Sequence, residues 1–128
     1  MQEIAKNDYY SVGVDEKKNR VYLAVKGFWK DPQVAPNYID DIKKAADSVK
    51  SGYTIVANLT DMKAPTPEVG AVHMAAQEML VNAGLSKTAE IVSSKLLQLS
   101  VDRYAETSGM DKMVFDDQVK AEKWLDEN

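Results

Sequence analysis

YTIVANLTDMKAPTPEVG, residues Tyr53–Gly70, is the stretch of sequence that decides the fold. Within it, Thr54–Leu59 is mostly apolar without clean alternation, which is typical of a central strand covered on both faces. Thr66–Ala83 then reads as a helix, with Thr66 as its N-cap and Pro67 in its first turn. In α/β proteins the loop between such a strand and helix lies at the carboxyl end of the strand, where these folds usually bind their ligands. We therefore predict the binding site at this junction.

The flanking sequence predicts seven further elements from the spacing of its apolar residues and from its turn residues. They are the strands Tyr9–Val14, Arg20–Phe28, Thr88–Val92 and Lys112–Phe115, and the helices Pro36–Lys50, Lys95–Ser108 and Asp117–Asp126. Strands that alternate with helices favour a mostly parallel sheet with right-handed crossovers. We therefore predict one α/β domain over residues 1–128, with a five-stranded, mostly parallel sheet, an N-terminal antiparallel hairpin and about four helices. We expect residues 1–7 to be flexible.

Composition narrows the classes of function. The net charge is −4 and there are only two arginines, so no cationic face for nucleic acid is indicated. The chain has no cysteine, which excludes disulfides and cysteine-based metal sites. No signal sequence and no apolar run of about 20 residues is present, so we expect a cytoplasmic protein without stable membrane insertion. No motif for a metal or a cofactor is found, and we predict none.

Four segments carry a resemblance to a known family: VYLAVKGFW (Val21–Trp29), IVANLTDM (Ile55–Met62), AEIVSS (Ala89–Ser94) and MVFDDQVKAEKWL (Met113–Leu125). Together they resemble the STAS domain, the fold of bacterial anti-sigma-factor antagonists, and in particular its small stand-alone relatives that are also similar to CRAL-TRIO lipid-binding proteins. The resemblance implies a STAS-like fold and a non-catalytic mode of action.

The loop after the central strand departs from the STAS pattern. Antagonists of this kind carry an Asp-Ser-Ser-Gly turn there, whose serine is phosphorylated by a partner kinase. This chain instead has a longer loop, Thr60–Pro67, without that motif. The phosphoserine role is therefore carried over to no residue, and the resemblance does not imply a pathway.

Polar residues of this loop are the first candidate site. Thr60 and Asp61 could bind a partner or accept a phosphoryl group, or they could simply close the loop as an Asx-type turn. Thr66 is the residue whose position best suits phosphorylation, because a phosphate there would lie at a helix amino terminus. Ordinary helix capping also explains Thr66.

Apolar residues near the loop form the second candidate site. Trp29 and Tyr38 either line an apolar pocket or interface, or cover the edge of the core. Met62 lies in the loop, where an exposed position would fit contact with a partner or lipid. His73, the single histidine, is interpreted as a residue at the edge of the core rather than a catalytic base.

Three functions are consistent with these residues. The first is a non-enzymatic regulatory module that binds a protein partner or small ligand through Thr60–Thr66. The alternative is a binder of apolar small molecules or lipids, with a cavity under the segment from Trp29 to Tyr38. An acid–base enzyme that uses His73 is the third. A homodimer is expected for a small α/β domain of this kind.

Overall fold

The computed structural model describes residues 1–127; Asn128, the last residue of the predicted domain, lies outside the described residues. The strands are Gln2–Lys6 (β1), Tyr10–Asp15 (β2), Arg20–Val25 (β3), Thr54–Asn58 (β4), Lys87–Ile91 (β5) and Lys112–Phe115 (β6). The helices are Tyr38–Asp47 (α1), Pro67–Asn82 (α2), Lys95–Ser108 (α3) and Gln118–Glu127 (α4), and a short 3-10 turn at Pro32–Val34 precedes α1.

The six strands form one sheet in the order β1-β2-β3-β4-β5-β6. The first two pairings are antiparallel, and the three pairings from β3 to β6 are parallel. This confirms the predicted mixed α/β architecture, with one strand more than the five predicted. The additional strand is Gln2–Lys6, which pairs with β2 along the edge of the sheet, in the segment expected to be flexible.

The helices cover the two faces of the sheet unequally. The side chains of α1, α2 and α3 pack with one face in the larger core, and α4 packs over β4, β5 and β6 on the other face. Strand β4 is buried from both sides, since Ile55 and Ala57 belong to the larger core and Val56 to the smaller one. The prediction of a central strand covered on both faces is confirmed.

Two predicted elements are shorter than expected. The strand predicted to reach Phe28 ends at Val25, because Gly27 adopts φ +68°, a conformation that does not continue a strand. The helix predicted to start at Pro36 starts at Tyr38, because the chain first turns through the 3-10 segment. Both changes lie in the segment between β3 and α1, beside the predicted site.

Candidate functional site

The β4–α2 loop begins with a local hydrogen-bonded turn. Asn58, the last residue of β4, accepts hydrogen bonds through Oδ1 from the backbone N–H of Thr60 at 3.1 Å and from its hydroxyl at 2.7 Å. The Ser93 hydroxyl donates to the Thr60 carbonyl at 3.0 Å from the segment after β5. The loop is thus tied to both its own strand and the neighbouring one.

A second tie joins the loop to the end of β3. The N–H of Gly27 donates to the carbonyl of Asp61 at 2.8 Å, and the N–H of Lys63 donates to the carbonyl of Gly27 at 3.0 Å. These bonds form an isolated parallel bridge between Gly27 and Met62. The positive φ of Gly27 lets the chain make this bridge directly after the strand. The backbone of the loop is therefore fixed from two sides.

Most side chains on this fixed backbone face solvent. Thr60, Asp61, Lys63 and Ala64 are exposed. Phe28, next to the bridging Gly27, is 53% exposed and is one of the few large apolar residues at the surface. Exposed aromatic rings and charged side chains are common at protein interfaces. The loop surface, which consists of Phe28 with Thr60, Asp61, Lys63 and Ala64, is therefore suited to contact another molecule.

Thr66 ends the loop as the N-cap of α2, as predicted. Its Oγ1 accepts a hydrogen bond from the N–H of Val69 at 3.2 Å. Beside it, an open groove of about 370 Å³ runs between α2 and α3. The two helices can approach closely because position 70 is a glycine. A Cβ there would clash with the Tyr104 hydroxyl. The groove is lined by Pro65, Thr66, Pro67, Gly70, Ala71, Met74, Ser100, Arg103 and Tyr104.

Three of the predicted binding residues lie below the loop instead of at its surface. Trp29 and Tyr38 are buried and pack with their ring centroids 5.1 Å apart. The Trp29 indole N–H donates to the Lys26 carbonyl at 3.1 Å. Met62 is also buried, so the expectation that it is exposed is wrong; its backbone bridge to Gly27 turns the side chain toward the core. These side chains support the loop from inside.

His73 joins this aromatic cluster. Its ring centroid lies 4.9 Å from that of Trp29 and 5.5 Å from that of Tyr38, and the residue is only 6% exposed. It lies deeper than the predicted position at the core edge. Burial lowers the pKa of His73 to about 4, so the imidazole is neutral at pH 7. Its Nε2 has no hydrogen-bond partner among the described residues, so the geometry shows no acid–base pair there.

A cavity of about 50 Å³ lies between the sheet and helices α2 and α3. Tyr38, Met62 and His73 line it, together with the buried polar residues Thr88 and Glu90 of β5. No space of measurable volume lies against Trp29 itself. The cavity is thus displaced from the place expected in the alternative hypothesis.

The sequence analysis did not single out Thr88 and Glu90. They alternate with apolar residues in TAEIV, which places both on one face of the strand. Polar residues at alternate positions of a strand between two helices were the signal that could have identified them. Lys112 on β6 approaches Glu90, with Nζ 2.6 Å from Oε1, and it also contacts Asp102. Burial raises the pKa of Glu90, while Lys112 acts against that shift.

Comparison with known proteins rests on structure. No protein-family model matches the sequence, and no protein of curated function matches it. The fold is similar to that of an uncharacterized DUF3478-family protein with a SpoIIAA-like fold from Shewanella loihica PV-4, with a TM-score of 0.67, 10% identity and coverage of 94% of this chain and 97% of that one. It is also similar to an anti-sigma factor antagonist from Mycobacterium paratuberculosis, with a TM-score of 0.56, 13% identity and coverage of 95% and 98%.

Both similarities extend over nearly the whole chain. Within residues 1–127, no helix is long and apolar enough to cross a membrane. The chain therefore has the SpoIIAA-like fold, as the resemblance to STAS domains predicted.

Proposed function

We propose that this chain is a non-enzymatic regulatory module that binds a protein partner through the β4–α2 loop, Thr60–Thr66, and the start of α2. The observation that carries the proposal is the loop's combination of exposed side chains and a backbone fixed from two sides. A loop that is already ordered loses little conformational entropy when a partner binds. Recognition loops on a rigid scaffold are the usual means by which such folds bind other molecules.

The chemistry of the loop surface also favours a protein as the partner. Asp61 and Lys63 provide charges of both signs, and the half-exposed ring of Phe28 provides an apolar anchor. Aromatic anchors ringed by polar groups contribute much of the binding energy at protein interfaces. The Mycobacterium paratuberculosis protein with this fold is named as an anti-sigma factor antagonist, a regulator. That likeness supports a regulatory role by analogy of fold.

Substitution of the charged and apolar residues of the loop surface tests this proposal. The protein, immobilised, captures its partner from an extract of its own cells, and the captured protein is quantified by mass spectrometry. Asp61→Lys and Phe28→Ser are each expected to lower the captured amount about tenfold or more, because they remove a charge contact and an apolar anchor.

Glu16→Lys is the matched control. Glu16 is exposed in the β2–β3 turn, at the opposite end of the sheet, and the substitution changes the charge by the same amount. It is expected to leave capture unchanged. If all three variants captured the same proteins in wild-type amounts, the partner would not bind at the loop.

The predicted homodimer stays a prediction.

Phosphorylation of the loop is proposed as the means of regulation. Thr60 is exposed, and its hydroxyl donates to the side chain of Asn58 at the end of β4. Thr66 is half-buried, and a phosphate on it would lie at the amino end of α2 in the groove that Arg103 lines. A helix amino terminus and a guanidinium both favour an added phosphate.

Incubation of the protein with ATP and extract of its own cells, followed by mass spectrometry of the peptide that contains Thr60 and Thr66, tests this proposal. A phosphorylated peptide is expected, and Thr60→Val with Thr66→Val removes it. Unmodified peptide throughout, with phosphorylation detected on other proteins of the same extract, would show that the loop is not a kinase target.

A further inference from the structure

The cavity between the sheet and helices α2 and α3 combines apolar walls with buried polar groups. Its walls include the side chains of Leu23, Ile55, Ala57, Leu80 and Val101. Among the polar side chains that line it are His73, Thr88 and Glu90, each of which is more than nine-tenths buried. Polar side chains at such depth are uncommon unless they are paired.

Only one of the three polar groups is satisfied by its surroundings. Glu90 is bonded to Lys112, whereas His73 Nε2 and Thr88 Oγ1 have no hydrogen-bond partner among residues 1–127. A buried polar atom without a partner destabilises the folded state, and an apolar side chain of the same shape would remove that cost. Both residues line one cavity, so a molecule inside it can pair with one of these atoms.

We propose that this cavity is a binding site for a small uncharged molecule with a short apolar body and one hydroxyl or carbonyl group. A neutral imidazole offers one donor or one acceptor at Nε2, and the Thr88 hydroxyl offers both. A hydroxyl or carbonyl group can pair with either. The body of the ligand contacts the apolar wall formed by residues such as Ile55 and Leu80.

Size and charge restrict the ligand further. A volume of about 50 Å³ is roughly a third of the ~150 Å³ that admits benzene, so the cavity holds about two or three non-hydrogen atoms. An anion is disfavoured because the Glu90 carboxylate borders the cavity. A cation is disfavoured because that carboxylate is already paired with Lys112 and the remaining polar groups are neutral.

Met110 provides the route of entry. It lines the cavity from the turn between α3 and β6, and it also lines an open surface groove at the same turn. Methionine is flexible and adopts several rotamers with little cost, so its side chain can move aside for a small molecule. The site is separate from the loop surface of the proposed function and does not depend on it.

Titration of the full chain with ethanol, followed by methyl NMR, tests the proposal. The methyl signals of Ile55, Leu80 and Val101 are expected to shift and saturate with a Kd in the millimolar range. Formate, which is similar in size but charged, is expected to give no saturable shift. Thr88→Val is expected to weaken ethanol binding about tenfold, because it removes one hydrogen-bond partner.

The Tm of Thr88→Val and a control variant complete the test of the cavity. Thr88→Val keeps the shape of the side chain, so we expect it to fold and to raise the Tm by about 3 °C, since it removes an unpaired polar atom. Thr107→Val, on the exposed side of α3, should alter neither binding nor Tm. The proposal is overturned if the shifts grow linearly without saturation, or if Thr88→Val binds ethanol as the wild type does.

Discussion

Replacement of His73 by Gln is expected to remove about 3 kcal/mol of pH dependence from the folding of this chain between pH 7 and pH 4. The imidazole is buried between the rings of Trp29 and Tyr38, and burial lowers its pKa to about 4. Gln keeps a polar group of similar size at this position but does not titrate.

The sign follows from the two pKa values. In the unfolded chain His73 binds a proton as the pH falls through about 6.5, whereas in the folded chain it does so only near 4. Between these values the unfolded state holds more protons, so the free energy of unfolding falls as the pH falls. The full stability is present above pH 6.5, and the loss is complete below pH 4.

Urea unfolding of both proteins at pH 7, 5.5 and 4 measures the effect. The difference in unfolding free energy between wild type and His73→Gln is the quantity to follow, because both proteins contain Glu90 and the other carboxylates. Glu90 has a raised pKa and titrates in the opposite sense, and its contribution cancels in that difference. A difference that stays constant with pH would show that His73 is not buried as a neutral base.

Local signals explain why most of the fold could be predicted. Thr66 caps α2 as predicted, and Ser94 caps α3 in the same way; each hydroxyl accepts from the N–H three residues ahead. Gly109 ends α3 with φ +77°, which a glycine adopts without strain. Each of these signals depends only on residues that are close in sequence, so it can be recognised without the structure.

The missed strand shows the limit of such signals. Gln2–Lys6 is mostly polar, and its side chains are exposed or half-buried. It forms a strand because its backbone pairs with β2, with a register shift between Glu3 and Ala5. Pairing of this kind depends on the partner strand and leaves little trace in the side-chain pattern.

The position of the candidate site could be predicted from the sequence, but not which of its side chains are buried. The exposed Thr60 and Asp61 and the capping Thr66 lie where the strand–helix junction places them. Whether Trp29 or Met62 faces inward depends on the bridge between Gly27 and the loop, which joins residues 35 positions apart. The cavity depends in the same way on how α2 and α3 pack over the sheet, which no local pattern specifies.

Arg20→Leu is expected to lower the free energy of unfolding by about 2–3 kcal/mol. The Arg20 side chain is only 4% exposed, and it joins the start of β3 to α4 through Glu122 at 2.9 Å and Asp126 at 3.0 Å. Its Nε also donates to the Thr54 hydroxyl at 2.9 Å. Leu cannot replace these bonds, and it leaves Glu122 without its closest cation. The estimate lies at the lower end for buried ion pairs because both carboxylates are partly exposed to water.

Lys18→Leu is the matched control, because Lys18 is exposed and lies 3.9 Å from the same Glu122 oxygen. Exposed pairs at that distance contribute little, so we expect a loss of less than about 0.5 kcal/mol. Amide hydrogen exchange should locate the effect of Arg20→Leu in α4, whose amides exchange faster, while those of α2 keep their relative protection. Equal losses in the two variants would mean that the burial of Arg20 adds nothing. Since α4 packs over β4, β5 and β6, this pair of variants measures how much of that layer depends on one guanidinium.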